Sequence, residues 1–122
     1  MPHRICLIED DEPLRTVLAR FLEQSGYEVV QAEHGRQALQ AMELTPADLV
    51  ITDMIMPEMD GVETIVALRR EYPKAKIIAM SGGGLRSADQ YLQLAQMLGA
   101  QKTFSKPIMP QELLRAISSL IR

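Results

Sequence analysis

The chain has 122 residues, 47% of them hydrophobic, which is enough for one domain with a single buried core. Its formal net charge of −3 argues against the sequence-independent phosphate binding that basic nucleic-acid-binding domains show. The sequence has no apolar run near the roughly 20 residues of a membrane span and no signal-peptide pattern at its N-terminus. We therefore expect one cytoplasmic domain over residues 1–122, which contacts neither nucleic acid nor membrane directly.

Strand-like and helix-like segments alternate through the first half of the chain. Short apolar runs predict strands at residues 4–8, 27–30 and 49–52. Pro13 suits the first position of a helix and Gly26 the position after a helix end, so a first helix is predicted between them. Apolar residues at helical spacing support this helix and a second one: Leu14, Val17, Leu18, Phe21 and Leu22, then Ala38, Leu39 and Met42.

The second half of the chain repeats this alternation. Strands are predicted at residues 76–80 and, from a weaker pattern, at 102–105. Three more helices are indicated by Val62, Ile65, Val66 and Arg69, by Ala88, Tyr91, Leu92, Ala95 and Leu98, and by Leu113, Leu114, Ile117, Leu120 and Ile121. Strands that alternate with crossover helices form a parallel sheet with helices on both faces. The sequence therefore predicts a doubly wound α/β fold with five parallel strands and five helices.

Chemically active residues follow four of the five predicted strands. In doubly wound folds, sites lie beyond the carboxyl ends of the strands, where these residues should meet. The residues at those ends are Glu9, Asp10, Asp53, Ser81 and Lys106. Three carboxylates in one crevice repel one another unless cations join them. The lysine supplies one positive charge, and Mg²⁺ suits a site of carboxylates, waters and phosphate oxygens.

This set of groups is suited to phosphoryl transfer. An aspartate is a competent nucleophile and yields an aspartyl-phosphate. A divalent cation offsets the repulsion between the carboxylate and the incoming phosphoryl group. A hydroxyl and an ammonium group can then hydrogen-bond to the oxygens of the new phosphate. The expected chemistry is Mg²⁺-dependent transfer of a phosphoryl group to an aspartate.

Four segments together resemble the receiver domains of two-component response regulators, and the resemblance covers essentially all 122 residues. The segments are LIEDDEP, LVITDMIMPEMDG, AMSGG and GAQKTFSKP. Their order and spacing are more specific than any one of them. The resemblance implies the flavodoxin-like strand order 2-1-3-4-5, for which the chemotaxis receiver is a known example.

The resemblance implies a role for each acidic residue at the strand ends. Asp53 matches the phosphoacceptor. Glu9 and Asp10 match the acidic pair at the Mg²⁺ site, with Asp10 as the direct ligand and Glu9 acting through water. Asp53 itself and the backbone carbonyl of Ile55 match the remaining protein ligands.

The resemblance also assigns residues to the phosphate and to the conformational switch. Ser81 matches the hydroxyl residue that moves toward the phosphate, and Lys106 matches the lysine of the family motif, with a cis bond to Pro107. Thr103 occupies a switch position at which family members often carry an aromatic residue. Phe104 follows it, but strand alternation points Phe104 toward the opposite face.

The function implied by the resemblance is that of a stand-alone response regulator. A sensor histidine kinase or a histidine phosphotransfer protein would deliver the phosphoryl group from a phosphohistidine to Asp53. The domain would then change conformation and control a downstream protein. It would promote its own phosphorylation and dephosphorylation without turning over an external substrate, so we expect a switch and not an enzyme in the metabolic sense.

Three alternatives remain open at this point. The chain could be the receiver half of a DNA-binding transcriptional regulator, although no basic helix-turn-helix pattern follows the last predicted helix. An aspartyl-phosphate phosphatase usually needs a second acid two residues after the nucleophile, where Ile55 stands. A phosphorylation-independent binding module would require an inert Asp53. Ile55 and Gly83 also lack side chains that could orient an attacking water, which predicts a long-lived phosphoryl group.

Several other residues are better explained by folding than by function. Asp11 and Glu12 stand at a helix start, where the helix dipole favours acids. Asp60 with the glycine after it indicates a turn and a helix cap. Cys6 lies in an apolar run and is expected in the core. Packing is also the expected role of three methionines, since no Cys or His is spaced to bind a metal with them: Met54, Met56 and Met59.

Overall fold

The computed structural model describes residues 3–55, 60–82 and 85–121, and only the backbone of residues 85–89. The strands are β1 (Arg4–Ile8), β2 (Glu28–Ala32), β3 (Leu49–Asp53), β4 (Lys76–Ser81) and β5 (Lys102–Ser105). The helices are α1 (Glu12–Gln24), α2 (Gly35–Leu44), α3 (Gly61–Glu71), α4 (Leu85–Met97) and α5 (Pro110–Leu120). The strands form one parallel sheet in the order β2-β1-β3-β4-β5. The predicted doubly wound α/β fold and its strand order are confirmed.

The helices cover both faces of the sheet because alternate residues of each strand point to opposite sides. Ile5 and Leu7 of β1 face α1 and α5, whereas Cys6 and Ile8 face α2, α3 and α4. The central strands are mostly apolar, and every residue of β3 is buried. This composition is typical of parallel strands that are covered on both sides. Among the described residues, no helix has the length and apolar content needed to cross a membrane.

The boundaries and faces of some elements differ from the sequence prediction. β2 extends over residues 28–32 instead of 27–30, because five of its residues pair with β1, from Glu28 opposite Arg4 to Ala32 opposite Ile8. Val17 and Val66 belong to predicted apolar stripes, but they are 62% and 45% exposed. Neighbouring residues on the same helices, such as Leu18 and Ile65, fill the space against the sheet, and the valines are left on the surface.

Cys6 lies in the core, as predicted, with 1% of its surface exposed. Burial raises the pKa of its thiol to about 12, from an ordinary value of 9.0. The unfolded thiol loses its proton above its ordinary pKa, whereas the folded thiol keeps it. The protonated thiol therefore makes its full contribution to the free energy of unfolding below the ordinary pKa. This contribution is lost as the pH rises toward the raised pKa.

We expect the wild-type protein to lose more stability than Cys6→Ala between about pH 8 and about pH 10, because only the wild type has this thiol. Urea unfolding at both pH values measures the difference. The Cys6 thiol should also stay unmodified by iodoacetamide until the protein is unfolded, because a buried neutral thiol is a poor nucleophile. Equal pH slopes for the two proteins, together with rapid native-state alkylation, would contradict this expectation.

Candidate functional site

The carboxyl ends of the strands bring three acidic side chains together. Glu9 follows β1 and is fully buried, Asp53 is the last residue of β3 and is 5% exposed, and Asp10 is exposed. One carboxylate oxygen from each of the three residues lies within 4.8 Å of the other two. Oxygen donors at this spacing, with one exposed member, fit a hard divalent cation that keeps part of its water shell. The donor set therefore fits Mg²⁺.

Lys106 joins two of these carboxylates. Its Nζ donates hydrogen bonds to Glu9 Oε1 at 2.5 Å and to Asp53 Oδ2 at 3.0 Å. Its backbone N–H donates to the carbonyl of Ser81 at 2.8 Å, and its bond to Pro107 is cis, as predicted. A Cβ on Gly82 would lie 3.1 Å from the Lys106 side chain, so the absence of one lets the lysine stem pass close by. The ammonium group therefore lies among the acids.

Burial and the lysine act in opposite directions on the charge of Glu9. Burial raises the pKa of Glu9 to about 7, and the nearby Asp53 charge adds to this effect. The hydrogen bonds from Lys106 and from the Asp11 backbone N–H lower it in part. For Lys106, burial by itself lowers the pKa, but the bonds to Glu9 and Asp53 outweigh burial and raise it. The Lys106 ammonium group therefore stays charged, but its single positive charge does not balance the acidic side chains beside it.

The oxygens of Asp53 are held from two sides. Oδ2 accepts from Lys106, and Oδ1 accepts a hydrogen bond from the backbone N–H of Ile55 at 3.3 Å. The Ile55 side chain is 46% exposed. Residues 56–59, which include Met56 and Met59, lie outside the described residues, whereas Met54 is fully buried in the core as predicted. The carboxylate of Asp53 is thus oriented by one charged and one neutral donor.

Ser81 is a fully buried hydroxyl at the end of β4. Within the part of the chain that the structure describes, its Oγ has no hydrogen-bond partner. A buried hydroxyl without a partner costs on the order of 1–3 kcal/mol, so it usually has an explanation. Gly83, which was predicted to offer no side chain that could orient an attacking water, lies outside the described residues. The hydroxyl is available to an acceptor that enters the site.

Thr103 and Phe104 point to opposite faces of the sheet, as strand alternation predicts. Thr103 pairs with Ala79 on the face that packs against α2, α3 and α4. Phe104 pairs with Met80 and packs in the cluster under α1 and α5. Thr103 is thus partly buried on β5, and the ring of Phe104 packs on the opposite face of the sheet.

The acids assigned to folding have that role in the structure. Asp11 caps α1, since its side chain accepts a hydrogen bond from the Leu14 N–H at 3.2 Å. Asp60 caps α3 in the same way, through the Glu63 N–H at 3.1 Å. Both caps hold a helix start near the carboxyl ends of the strands.

Gly61 has a packing role that the sequence pattern did not reveal. A Cβ at this position would lie 2.6 Å from Met54 Cα and 2.9 Å from the carbonyl oxygen of Asp53. Its backbone N–H also donates to the Met54 carbonyl at 3.1 Å. The start of α3 therefore packs directly on the backbone that carries Asp53, which only a residue without a side chain allows.

We expect Gly61→Ala to lower the free energy of unfolding by about 1–3 kcal/mol, because the added methyl must displace backbone atoms. The same displacement should weaken Mg²⁺ binding, measured by calorimetric titration. Gly26→Ala is the matched control: Gly26 has φ +99°, and its added Cβ would have no neighbour within 4 Å. The control should lose stability through backbone strain but keep its Mg²⁺ affinity. Equal affinities in both variants would contradict the role given to Gly61.

Comparison with known proteins agrees with this geometry. Residues 5–118 match the family model described as "Response regulator receiver domain". The chain is a response regulator receiver domain. In this family, which serves two-component systems, phosphorylation on an aspartate is typical, and an acidic pocket typically binds Mg²⁺.

The relatives of this receiver domain differ in length. It is 33% identical to the chemotaxis protein CheY of Bacillus subtilis (strain 168), over 99% of both chains. It is 31% identical to the alkaline phosphatase synthesis transcriptional regulatory protein PhoP of the same organism, over 100% of this chain and 50% of the relative. The chain thus spans about half the length of some curated relatives and nearly all of another.

Solved structures share the fold of this receiver domain. A response regulator receiver domain protein from Clostridium thermocellum superposes with a TM-score of 0.88 at 29% identity, over 98% of this chain and 94% of the other. The receiver domain of NtrX from Brucella abortus gives a TM-score of 0.89 at 22% identity, over 96% and 97% of the two chains. At that identity, the second similarity speaks for the fold alone.

Proposed function

We propose that this receiver domain accepts a phosphoryl group on Asp53 from a phosphohistidine and then switches the conformation that a downstream protein recognises. One observation carries the proposal: the carboxylate of Asp53 lies beside Lys106 and two further acids, and the neighbouring strand ends in a buried hydroxyl that has no partner among the described residues. An acceptor carboxylate, a cation site, an ammonium group and a free hydroxyl are the parts that aspartyl phosphorylation needs.

The cation site would use the carboxylates of Glu9, Asp10 and Asp53 and the backbone carbonyl of Ile55 as protein ligands or as partners of bound water. When bound, Mg²⁺ supplies positive charge that offsets the repulsion between the phosphoryl oxygens and the carboxylates. Asp10 is the exposed member of the group and is suited to direct ligation. Glu9 is already bonded to Lys106 and to the Asp11 N–H, which suits contact through water.

Asp53 is the nucleophile in this mechanism. Lys106 and the Ile55 N–H each hold one of its oxygens, so its orientation is fixed before the donor arrives. One carboxylate oxygen forms a bond to phosphorus while the bond from phosphorus to the donor imidazole nitrogen breaks. The electron pair of that bond stays on the imidazole, whose other ring nitrogen carries a proton, so that the leaving group is neutral. The product is a phosphoaspartate and a neutral histidine on the donor.

Ser81 and Lys106 would then hold the new phosphate oxygens. The Ser81 hydroxyl gains a hydrogen-bond partner, which removes the cost of leaving it buried and unpaired. Lys106 keeps a charged partner after Asp53 is phosphorylated. Because Ser81 ends β4 and pairs with Ser105 of β5, its movement would bias this edge of the sheet, including Thr103, between two conformations.

The phosphodonor would be a sensor histidine kinase or a histidine phosphotransfer protein, and the proposed location of the domain is the cytoplasm. Its docking surface is proposed on α1, where Val17 is 62% exposed. Beside α1, an apolar cleft of about 390 Å³ lies between Leu14, Leu18 and the Pro107–Ile108 segment, and Lys106 also lines it. A donor histidine that binds there would lie next to the site.

A second candidate function is that of the receiver portion of a transcriptional regulator. It is favoured by the full-length match of this chain to half of PhoP, a transcriptional regulatory protein. The two candidates share the same chemistry on Asp53. They differ in the output, which would be a separate protein in the first case and a covalently attached DNA-binding domain in the second. The two candidates are distinguished by whether the open reading frame that encodes this chain also encodes a DNA-binding domain.

Phosphorylation by a small-molecule donor tests the proposed chemistry. The protein is incubated with acetyl phosphate and Mg²⁺, or with acetyl phosphate and EDTA, and its intact mass is measured. We expect the mass of one phosphoryl group only with Mg²⁺, and its loss on treatment with hydroxylamine, which cleaves acyl phosphates. An unchanged mass with Mg²⁺, or an adduct that resists hydroxylamine, would contradict the proposal.

A further inference from the structure

Arg15 is a buried cation that lies directly behind the acidic group. It is on the first turns of α1, and 8% of its surface is exposed. Its guanidinium donates from Nη1 to the backbone carbonyl of Glu9 at 2.7 Å and from Nε to the Gln31 side-chain oxygen at 3.2 Å. A buried arginine is unusual unless its donors are engaged, and here they join α1 to two strand ends.

The contact with Arg15 completes the fixation of Glu9. The Glu9 N–H donates to the Ala32 carbonyl at 3.0 Å, and the Glu9 carbonyl accepts from Arg15. The carboxylate accepts from Lys106 on one oxygen and from the Asp11 N–H at 3.0 Å on the other. Both polar groups of the Glu9 backbone and both side-chain oxygens are therefore held. The direction in which Glu9 and Asp10 leave the end of β1 depends on these bonds.

We propose that Arg15 is a positioning residue for the cation site, which it serves by fixing the Glu9 carbonyl and thus the turn that presents Glu9 and Asp10. The inference rests on the proposed function insofar as that function uses a cation at these carboxylates. Arg15 itself donates to the Glu9 backbone carbonyl and to the Gln31 side chain, so these bonds do not occupy the carboxylates at which a cation would bind.

The sign of the effect separates positioning from simple electrostatics. Arg15 carries a positive charge near a cation site, so charge alone predicts that its removal tightens Mg²⁺ binding. Positioning predicts weaker binding despite the lost charge. Lysine sharpens the distinction, because it keeps the charge but cannot reach the Glu9 carbonyl and Gln31 together with a planar fork.

The experiment compares Arg15→Met and Arg15→Lys with the wild type by calorimetric Mg²⁺ titration. We expect both variants to bind Mg²⁺ at least about tenfold more weakly than the wild type, as is typical when a residue that orients ligands is lost. Arg20→Met is the matched control, since Arg20 is an exposed arginine on the same helix. The control removes the same charge and should not weaken binding. Thermal unfolding in EDTA verifies that each variant folds.

A second readout reports the turn without any metal. The Asp11 N–H bonds to the Glu9 carboxylate, so its hydrogen exchange in EDTA reports how well the turn is held. We expect faster exchange at Asp11 in Arg15→Lys and unchanged exchange in Arg20→Met. Arg15 variants that bind Mg²⁺ as tightly as the wild type, or that leave Asp11 exchange unchanged, would overturn the inference. The proposed function fails in a different way, through a wild-type Asp53 that accepts no phosphoryl group.

Discussion

Asp10→Asn should weaken Mg²⁺ binding by more than tenfold and remove most of the phosphorylation by acetyl phosphate. Asp10 is the exposed member of the three carboxylates whose oxygens lie within 4.8 Å of one another. Among the described residues, the hydrogen bonds of Lys106 Nζ go to the carboxylates of Glu9 and Asp53 and not to that of Asp10. A lost unit of charge at about 4 Å from a divalent ion costs about 2 kcal/mol even in water, which corresponds to more than tenfold in affinity. Calorimetric titration and intact mass measure the two effects.

Asp11→Asn is the control for this substitution. Asp11 is the next residue and is also exposed, but its side chain caps α1. Asparagine caps helices about as well as aspartate, so the control removes one nearby charge and keeps the local structure. The control should bind Mg²⁺ within a few-fold of the wild type. If Asp10→Asn and Asp11→Asn bind Mg²⁺ equally well, the acidic group acts only through its net charge and the assigned role of Asp10 is wrong.

Lys106→Met should destabilise the metal-free protein by about 2–3 kcal/mol, and Mg²⁺ should restore much of that loss. The lysine donates to Glu9 and Asp53, so its removal leaves two buried acids without their cation. Loss of one partner from a fully buried pair costs about 3–5 kcal/mol, and the partial exposure of Lys106 reduces this amount. Urea unfolding with EDTA and with Mg²⁺ gives the two free energies.

The same variant should separate phosphorylation from switching. Asp53 remains in Lys106→Met, so the phosphoryl group can still be added, but its oxygens lose their ammonium partner. In the wild type, beryllofluoride with Mg²⁺ should change the amide chemical shifts of the residues around β5. In Lys106→Met, that change should be smaller. Lys102→Met, at an exposed position of β5, is the control and should behave as the wild type in both assays. A Lys106→Met protein that is as stable as the control in EDTA would contradict the account.

The sequence was sufficient to predict the layers of the fold and the residues that meet at the site. Parallel strands covered on both faces are continuous apolar runs, and β1, β3 and β4 show this clearly. Their carboxyl ends share one edge of the sheet, so the sequence alone predicts that Glu9, Asp53 and Ser81 lie near one another. The order of the strands came from the family resemblance, since alternation alone leaves it open.

The features that the sequence did not predict depend on tertiary contacts. Arg15 looks like any other charged residue of a helix, and only the folded chain shows that its guanidinium is buried against the Glu9 carbonyl. Gly61 fits a turn or a helix cap, and its close approach to Met54 is visible only once α3 packs on the strand end. Val17 matches the apolar period of α1, yet neighbouring residues already fill the space beneath the helix.

The most direct test of the central claim is the site of the phosphoryl group. Wild type, Asp53→Asn and Asp60→Asn are each incubated with acetyl phosphate and Mg²⁺, and intact mass and peptide mapping locate the added group. Asp60 caps α3, and asparagine preserves that cap, so Asp60→Asn controls for a nearby Asp-to-Asn change. We expect one phosphoryl group, in the peptide that contains Asp53, in the wild type and in Asp60→Asn, and none in Asp53→Asn. A phosphoryl group that persists in Asp53→Asn, or that maps to another residue in the wild type, would contradict the account.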